Sequence, residues 1–195
     1  MAMGRPREFN VDVALDRALD VFWRNGYEGT SIAELTEAMG INPPSLYAAF
    51  GNKENLFRQA LDRYVEQKTN FWNEALGKPT AREMVHHLLF GSVEFLTDEC
   101  NPHGCMIVRS SLSCGAATDA IKRELTEKRA TGEAMLRERL QQARRSGEMP
   151  AGLDPAAFAR YIMTVMEGMS VRAASGASRK ELREIATLTM RMWPA

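Results

Sequence analysis

The chain has 195 residues, a formal net charge of zero and three cysteines. It is long enough for a small domain of about 50 to 60 residues and a larger helical body. No segment approaches the ~20 consecutive apolar residues of a membrane span, and the N-terminus lacks the apolar core of a signal peptide. Three cysteines do not make a disulfide framework. We therefore expect a cytoplasmic protein without a membrane partner.

The first predicted element is a helix over residues 11–25. Apolar residues recur at three- and four-residue intervals and define one buried face. Asn10 supplies the N-cap, and Gly26 ends the helix. Arg5 and Arg7 precede it. They lie either in a flexible arm that enters an A·T-rich minor groove or in a disordered, solubilising tail.

Two short helices joined by a tight turn are predicted between residues 30 and 50. Ser31 and Glu34 form an S-x-x-E capping box, so a helix begins there. Gly40 can take the left-handed conformation that ends it, and Asn42 caps a second helix whose first turn holds two prolines. This pattern predicts a helix-turn-helix, whose second helix usually enters the major groove of DNA.

A further helix, predicted over residues 52–76, connects this segment to the rest of the chain. With it the chain resembles the TetR family of bacterial transcription regulators over residues 8–60. The motif Gly-Ile-x(4)-Leu-Tyr-x-x-Phe-x-x-Lys-Glu is the most specific part of the resemblance. The matching residues are Phe22, Gly26, Tyr27, Thr30, Ile32, Leu35, Gly40, Ile41, Leu46, Tyr47, Phe50, Lys53, Glu54 and Leu56.

The resemblance implies an all-α protein of about nine helices. A three-helix DNA-binding head would occupy residues 1–51, and a larger helical domain for effector binding and dimerisation would occupy residues 52–195. The function implied is that of a transcriptional regulator, a repressor, which binds a palindromic DNA operator as a homodimer. A small apolar or aromatic effector would control it, and no cofactor or metal is implied.

The DNA contacts fall on the exposed side of the second short helix and on the starts of its neighbours, because Leu46 and Phe50 point inward. The resemblance implies phosphate contacts for Thr30, Tyr47 and Lys53, and hydroxyl, phenol and ammonium groups suit phosphate oxygens. Tyr47 is alternatively a rim residue packed on the next helix. The predicted DNA-contacting residues are Arg5, Arg7, Thr30, Ser31, Asn42, Pro43, Pro44, Ser45, Tyr47, Ala48 and Lys53.

The base-reading positions depart from the family pattern. Many members have Lys-Gly-Thr where this chain has Pro43-Pro44-Ser45, and a larger polar residue near Ala48. The usual lysine contact is therefore in doubt. Apolar contact with thymine methyl groups and recognition of DNA shape are favoured over bidentate hydrogen bonds.

The charge of the head offers little non-specific attraction to DNA. Residues 1–66 hold seven lysines and arginines against ten acids. A grip that is purely electrostatic is therefore not expected to dominate binding. Arg5 and Arg7, which precede the first acid, and Lys53, at a helix N-terminus, are the cations best placed for phosphate contact.

The remaining chain is predicted to be helical, with breaks at residues 77–79, 101–104, 146–152 and 176–178. The last two helices, about 154–175 and 179–193, carry apolar residues on more than one face. A second apolar face indicates either a doubly buried core helix or the dimer interface that the resemblance implies. The predicted interface residues are Phe158, Ile162, Met166, Met169, Ile185, Leu188 and Met192.

Aromatic and methionine residues accumulate between the head and these helices. They are either ordinary helical core or the wall of the effector pocket that the resemblance implies, since methionine-rich walls adapt to varied ligands. The predicted ligand-binding residues are Phe71, Trp72, Phe90, Cys105, Met106 and Met163.

Cys100, His103 and Cys105 form a short group of soft ligands. They are compatible with a metal site or a thiol-reactive sensor, but buried cysteines acting as small hydrophobes are the default, and no fourth ligand is evident. An enzyme with an incidental helix-turn-helix is the rival class, although no phosphate-binding loop or nucleophile motif is present. A DNA-architectural protein without a ligand is the third.

Overall fold

The computed structural model describes residues 9–113, 119–149 and 152–193. This part of the chain contains ten helices and no strand, which confirms the all-α fold with one helix more than predicted. The helices are α1 Val11–Asn25, α2 Ile32–Met39, α3 Pro43–Phe50, α4 Lys53–Lys68, α5 Asn70–Leu76, α6 Ala81–Leu96, α7 Met106–Ser113, α8 Asp119–Arg145, α9 Pro155–Ala174 and α10 Arg179–Arg191.

Helices α1, α2 and α3 form the head, and α4 packs across α1. The predicted caps are confirmed. Ser31 and Glu34 satisfy each other's backbone N–H groups at the start of α2, and Asn42 Oδ1 accepts a hydrogen bond from Ser45 N at 2.8 Å. Gly40 has φ 68°, a conformation that glycine adopts without the steric cost of a Cβ atom. The chain can therefore turn at once from α2 into α3.

Two apolar cores lie along the molecule. The head core joins α1 to α4, contains Phe22, Trp23 and Phe57, and extends to residues of α7 and α8. The body core joins α5, α6, α8, α9 and α10. Phe95 and Cys105 pack against both cores. The division at residues 51 and 52 stays a prediction, and α4 contributes to the head core.

The predicted continuous helix over residues 52–76 is wrong, because it is interrupted at Thr69. Thr69 has φ −112° and ψ 22°, and its hydroxyl donates to the Val65 carbonyl oxygen at 2.7 Å. A threonine side chain can compete in this way for helical carbonyl groups. Neither glycine nor proline marks the break, so the usual breaker signals miss it. Helix α5 is a separate element and packs on α6.

Membrane crossing is not supported by this part of the chain. None of the ten helices combines the length and the apolar character that a bilayer span requires.

Candidate DNA interface, effector cavity and dimer surface

The outward face of α3 carries the predicted base-reading residues. Leu46 and Phe50 are buried, as expected, while Asn42, Pro43, Pro44 and Ala48 are exposed and Ser45 is half-buried. The two prolines occupy the first helical turn and have no backbone N–H to donate. Asn42 already engages the Ser45 N–H. The start of α3 therefore offers DNA mainly apolar surface and the Asn42 amide.

Tyr47 projects from the same helix with 47% of its surface exposed. This exposure is compatible with the predicted phosphate contact, and both that contact and the alternative of a rim residue packed on the next helix stay predictions. Ser31, at the start of α2, is also exposed, but its hydroxyl donates to the Glu34 carboxylate at 2.8 Å. A DNA contact by Ser31 would have to share that hydroxyl.

The Thr30 hydroxyl is not available for the predicted phosphate contact. Its side chain is buried, and its hydroxyl donates to the Gly26 carbonyl oxygen at 2.7 Å. This bond ties the end of α1 to the approach to α2. Thr30 therefore supports the head from inside, and the exposed hydroxyl at the start of α2 belongs to Ser31.

Lys53 lies in the first turn of α4, with its Nζ atom 4.5 Å from the centre of the Tyr27 ring. Burial lowers the pKa of Lys53, and the carboxylates of Glu28 and Glu34 oppose this shift. The aromatic face and the acids favour the ammonium form, and the ring restricts where it can point. Lys53 is thus a cation held beside the helix-turn-helix.

Other cations of the head are engaged within the protein. Arg63 binds the carboxylates of Asp12 and Asp16, and Arg58 binds those of Glu54 and Glu124. These pairs neutralise four acids and withdraw two arginines from DNA. Arg17 is a further cation near the helix-turn-helix, and it is not among the predicted DNA-contacting residues. It is exposed, and its guanidinium lies 3.4 Å from the Met39 carbonyl oxygen beside the turn between α2 and α3. Arg5 and Arg7 lie outside the described residues.

A cavity of about 640 Å³ opens among α4, α5, α6, α7, α8 and α9. Its volume is typical of small-molecule sites. Aromatic, aliphatic and methionine side chains form most of its wall. They are Phe71, Trp72, Phe95, Leu96, Ile107, Val108, Met135, Met163 and Met166.

Four of the six predicted ligand-binding residues line this cavity: Phe71, Trp72, Cys105 and Met163. The other two do not. Met106 is fully buried in the head core, one residue beyond Cys105. Phe90 lies elsewhere on α6, packed against the body core and stacked on His86 with ring centres 4.3 Å apart. Consecutive residues of a helix point about 100° apart, so neighbours in the sequence face different surroundings. The amino-acid composition alone does not tell which of them face the cavity.

About half of the residues that line the cavity are polar or charged, and several of them are hydrogen-bonded within the protein. The Tyr64 hydroxyl donates to Cys105 Sγ at 3.2 Å, and the Cys105 backbone N–H donates to Ser170 Oγ at 2.8 Å. Burial raises the pKa of the Cys105 thiol, which favours the protonated form. Ser92 also lines the cavity. Its hydroxyl is buried and has no hydrogen-bond partner within the described residues.

No group of three or more metal-ligating side chains occurs within the described residues. Cys100 and Cys105 are both unpaired thiols, one exposed and the other part-buried at the cavity. The third cysteine, at position 114, lies outside the described part of the chain.

The predicted dimer residues separate into two groups. Phe158, Ile162 and Met169 are buried in the body core, and Met166 lines the cavity, so burial within one chain does not favour their predicted place at the dimer interface, which stays a prediction. Both apolar faces of α9 were counted, although one of them serves the body core. Leu188 and Met192 are 58% and 61% exposed, and Ile185 is half-buried.

An exposed apolar strip remains on the last two helices. Tyr161 and Val171 lie on α9 with Gly168 between them, where an added Cβ atom would meet nothing within 4 Å. On α10, Leu188 and Met192 are also exposed, and charged side chains including Arg183 and Arg191 surround Leu188. Exposed apolar residues grouped in this way are typical of an interface between proteins.

Comparison with known proteins defines the class. Residues 14–60 match the family model described as bacterial regulatory proteins, tetR family, and residues 81–188 match the Tetracyclin repressor-like, C-terminal domain. With the exposed α3, these matches define a helix-turn-helix, DNA-binding transcriptional regulator rather than an enzyme. The chain belongs to the TetR family.

Two individual relatives are similar to this chain over almost its full length. The transcriptional repressor ComR of Escherichia coli K12 is 35% identical over 193 residues, covering 98% of this chain and 92% of ComR. The TetR family regulator CifR, solved as a cysteine-substituted form with 26-base-pair operator DNA, is 42% identical, with a TM-score of 0.92. That alignment covers 97% of this chain and all of the CifR chain.

Two further matches differ in how much of the chain they cover. The transcriptional repressor BdcR of Escherichia coli K12 is 50% identical over 62 residues, about a third of each chain. A TetR regulator from Rhodococcus sp. RHA1 is 46% identical over 93% of this chain, with a TM-score of 0.64.

Proposed function

We propose that this protein is a repressor that binds a palindromic operator as a homodimer and releases it when a small molecule enters the cavity. The observation that carries the proposal is the position of the cavity. Phe95 lines it and also stacks on Trp23 of the head, with ring centres 5.6 Å apart and planes 23° apart. A ligand that moves Phe95 therefore acts on the head core directly.

Repression and operator binding are supported by the relatives. ComR and BdcR are named as repressors, and CifR is solved on operator DNA. In this chain the exposed α3 would read bases through apolar contact and the Asn42 amide. Tyr47 and Lys53 would hold phosphates. We expect the operator to contain thymines where the prolines and Ala48 approach, because their methyl groups suit apolar contact.

A homodimer is needed because one recognition helix reads a half-site of only a few base pairs. The exposed strip of Tyr161, Val171, Leu188 and Met192 is the surface proposed for it. Two copies that pack these strips against each other would bury the apolar residues and set the distance between the two heads.

Effector control requires that a ligand prefer one spacing of the heads over another. The interruption at Thr69 makes α4 and α5 separate helices, so a ligand that moves α5 need not move α4 with it. The route proposed instead passes through Phe95, Cys105 and the start of α7 to α1. Coupling of about 1–3 kcal/mol would be typical and would change operator affinity roughly 5–150-fold.

The test begins with selection of bound sequences from a random DNA pool, followed by a thermal-shift screen of small molecules. Hits are then titrated into the protein–operator complex. The expected result is a symmetric operator and a compound that lowers its affinity. A protein that binds DNA without symmetry and responds to no bound compound would instead be an architectural protein.

A cavity variant makes the test specific. Gly132 on α8 lines the cavity, and an added Cβ atom would lie 3.5 Å from the Trp72 ring, an ordinary contact. Gly132→Leu should fill part of the cavity and blunt the response without loss of operator binding. Arg137→Leu, on the exposed side of the same helix, is the matched control. A full response in Gly132→Leu would place the effector elsewhere.

A further inference from the structure

Ser92 is an exception to the rule that buried polar groups are hydrogen-bonded. It lies on α6 with 3% of its surface exposed, and its hydroxyl has no partner within the described residues. A serine in a helix can donate to the carbonyl group one turn earlier, as Thr97 does to Val93 at the end of the same helix. Ser92 does not do so, and it lines the cavity. A hydroxyl left in this state is available to a ligand.

The charged residues inside the cavity are paired with each other or with neighbouring residues of the described chain, and the remaining carboxylate, that of Glu66, lies at the exposed rim, where water screens it. Arg129 binds Glu167 through two hydrogen bonds of 2.8 and 2.7 Å, and Lys128 lies 3.2 Å from Asp62. An anionic ligand would have to break a bidentate pair, and a cationic one would meet a free carboxylate only at the exposed rim. An ion inside the cavity would therefore lose hydration without gaining a buried, free counter-charge.

The side chains that line the cavity favour a ligand whose apolar part is aromatic or about as thick as an aromatic ring. Phe71, Trp72 and Phe95 supply flat surfaces, and Met163 and Met166 supply adaptable ones. Ser170 adds one more polar group. Its oxygen accepts from the Cys105 N–H, which leaves its hydroxyl hydrogen for a ligand oxygen.

We propose that the cavity takes an uncharged ligand with an apolar, aromatic-sized body and one hydrogen-bond acceptor, such as a ketone or ester oxygen, which binds the Ser92 hydroxyl. This inference rests on the proposed function, since it names the class of effector for the same cavity. It adds two points to the proposed function: Ser92 is the residue that binds the polar group of the ligand, and the ligand is uncharged.

The experiment uses four naphthalene probes of similar shape. They are 2-acetylnaphthalene, 2-ethylnaphthalene, 2-naphthoate and 2-(aminomethyl)naphthalene, which present an acceptor, no polar group, an anion and a cation. Binding to the full chain is measured by equilibrium dialysis. The ketone is expected to bind about fivefold more tightly than the hydrocarbon, the difference that one net hydrogen bond supplies, and both ions more weakly.

Ser92→Ala should remove the fivefold preference and leave hydrocarbon binding unchanged. Ser110→Ala is the matched control, because the hydroxyl of Ser110 on α7 is also buried without a partner in the part of the chain that the structure describes, but Ser110 does not line the cavity. Neither change should lower the thermal midpoint of the unliganded protein, since each removes an unsatisfied buried hydroxyl.

Three outcomes would overturn the inference. They are tightest binding by either ion, no binding by any probe, and a preference for the ketone that survives Ser92→Ala. Operator affinity, measured in the same samples, separates the two proposals. If the ketone binds through Ser92 and operator affinity stays constant, the ligand class stands and effector control fails.

Discussion

The indole N–H of Trp23, in the first helix of the head, donates to the carbonyl oxygen of Gly104 at 2.8 Å. Gly104 has φ 92° and lies against Ser170 and Ala174 of α9, closely enough that an added Cβ atom would be 3.1 Å from each. Its neighbour Cys105 lines the cavity. A buried hydrogen bond, made across 81 residues of sequence, thus fastens the DNA-binding head to the segment that borders the cavity.

The first prediction concerns this bond. Trp23→Phe removes the N–H, keeps an aromatic ring against Phe95 and should cost about 1–3 kcal/mol of stability, because the Gly104 carbonyl loses its partner. Since Trp23 does not line the cavity, ligand affinity should hold while the ligand's effect on operator affinity falls. Fluorescence anisotropy of labelled operator, with and without saturating effector, measures the change.

Trp193→Phe is the control, because Trp193 packs edge-on against Phe158 at the far end of the body core. It should lose comparable stability and keep the full response. Equal loss of response in both variants would show that general destabilisation is the cause. An unchanged response in Trp23→Phe would remove the Trp23–Gly104 bond from the coupling route.

The second prediction concerns DNA. Lys53→Ala should weaken binding to all sequences about equally and reduce the slope of log affinity against log salt by roughly one unit, as expected for one lost phosphate contact. Tyr47→Phe should weaken binding with a smaller change of slope, because the phenol is neutral. Salt titrations of operator binding provide both values. Lys78→Ala, between α5 and α6, should change neither, and an unchanged slope in Lys53→Ala would exclude Lys53 from the interface.

The helix-turn-helix was predictable because its signals are local. The capping box of Ser31 and Glu34, the turn at Gly40 and the cap at Asn42 each act within four residues, and all are confirmed. The break at Thr69 was not predictable in the same way. Threonine is tolerated inside helices, and Thr126 and Thr131 make the same side-chain bond to a carbonyl oxygen without ending α8, so neither the residue type nor this bond marks the break.

The cavity and the dimer strip were predicted in part, for one physical reason. Two apolar faces on a helix indicate that both faces are covered in the protein. The sequence does not tell whether the core, the cavity or a second copy of the chain covers each face. Met166 was therefore assigned to the seam although it lines the cavity, and Met106 was assigned to the cavity although it lies in the head core. Ser92 carries no sequence signal, because what distinguishes it is that its buried hydroxyl has no hydrogen-bond partner among the described residues.

The third prediction concerns assembly. It tests the dimer interface at Leu188, because Met166, another predicted interface residue, lines the cavity. Leu188→Arg puts a charge on the exposed apolar strip of α10, where it should oppose association without disturbing the body core. Sedimentation velocity should show monomers, circular dichroism should show unchanged helical content, and operator affinity should fall sharply because one head reads only a half-site.

Leu112→Arg provides the comparison, since Leu112 is 71% exposed on α7, away from the proposed strip. This variant should sediment and bind as the parent does. A dimer that survives Leu188→Arg would place the interface on another surface.

The fourth prediction concerns the cysteines and a thiol-reactive effector. Burial raises the pKa of the Cys105 thiol, and the Tyr64 hydroxyl that donates to its sulfur only partly offsets this shift. The nucleophile is the thiolate, which is scarce at neutral pH when the pKa is raised. Cys100 is exposed. Iodoacetamide at pH 7.5 should therefore label Cys100 well before Cys105, as measured by peptide mass spectrometry, and raising the pH should accelerate labelling of Cys105.

Tyr64→Phe separates the causes of that slow labelling. Loss of the phenol removes a hydrogen bond that stabilises the thiolate, so the pKa of Cys105 should rise further and its labelling should slow at each pH. Cys105→Ser should leave the response to a non-covalent effector intact and abolish the response to an electrophile. Labelling of Cys105 faster than Cys100 at pH 7.5 would contradict the prediction and favour an effector that reacts with this thiol inside the cavity.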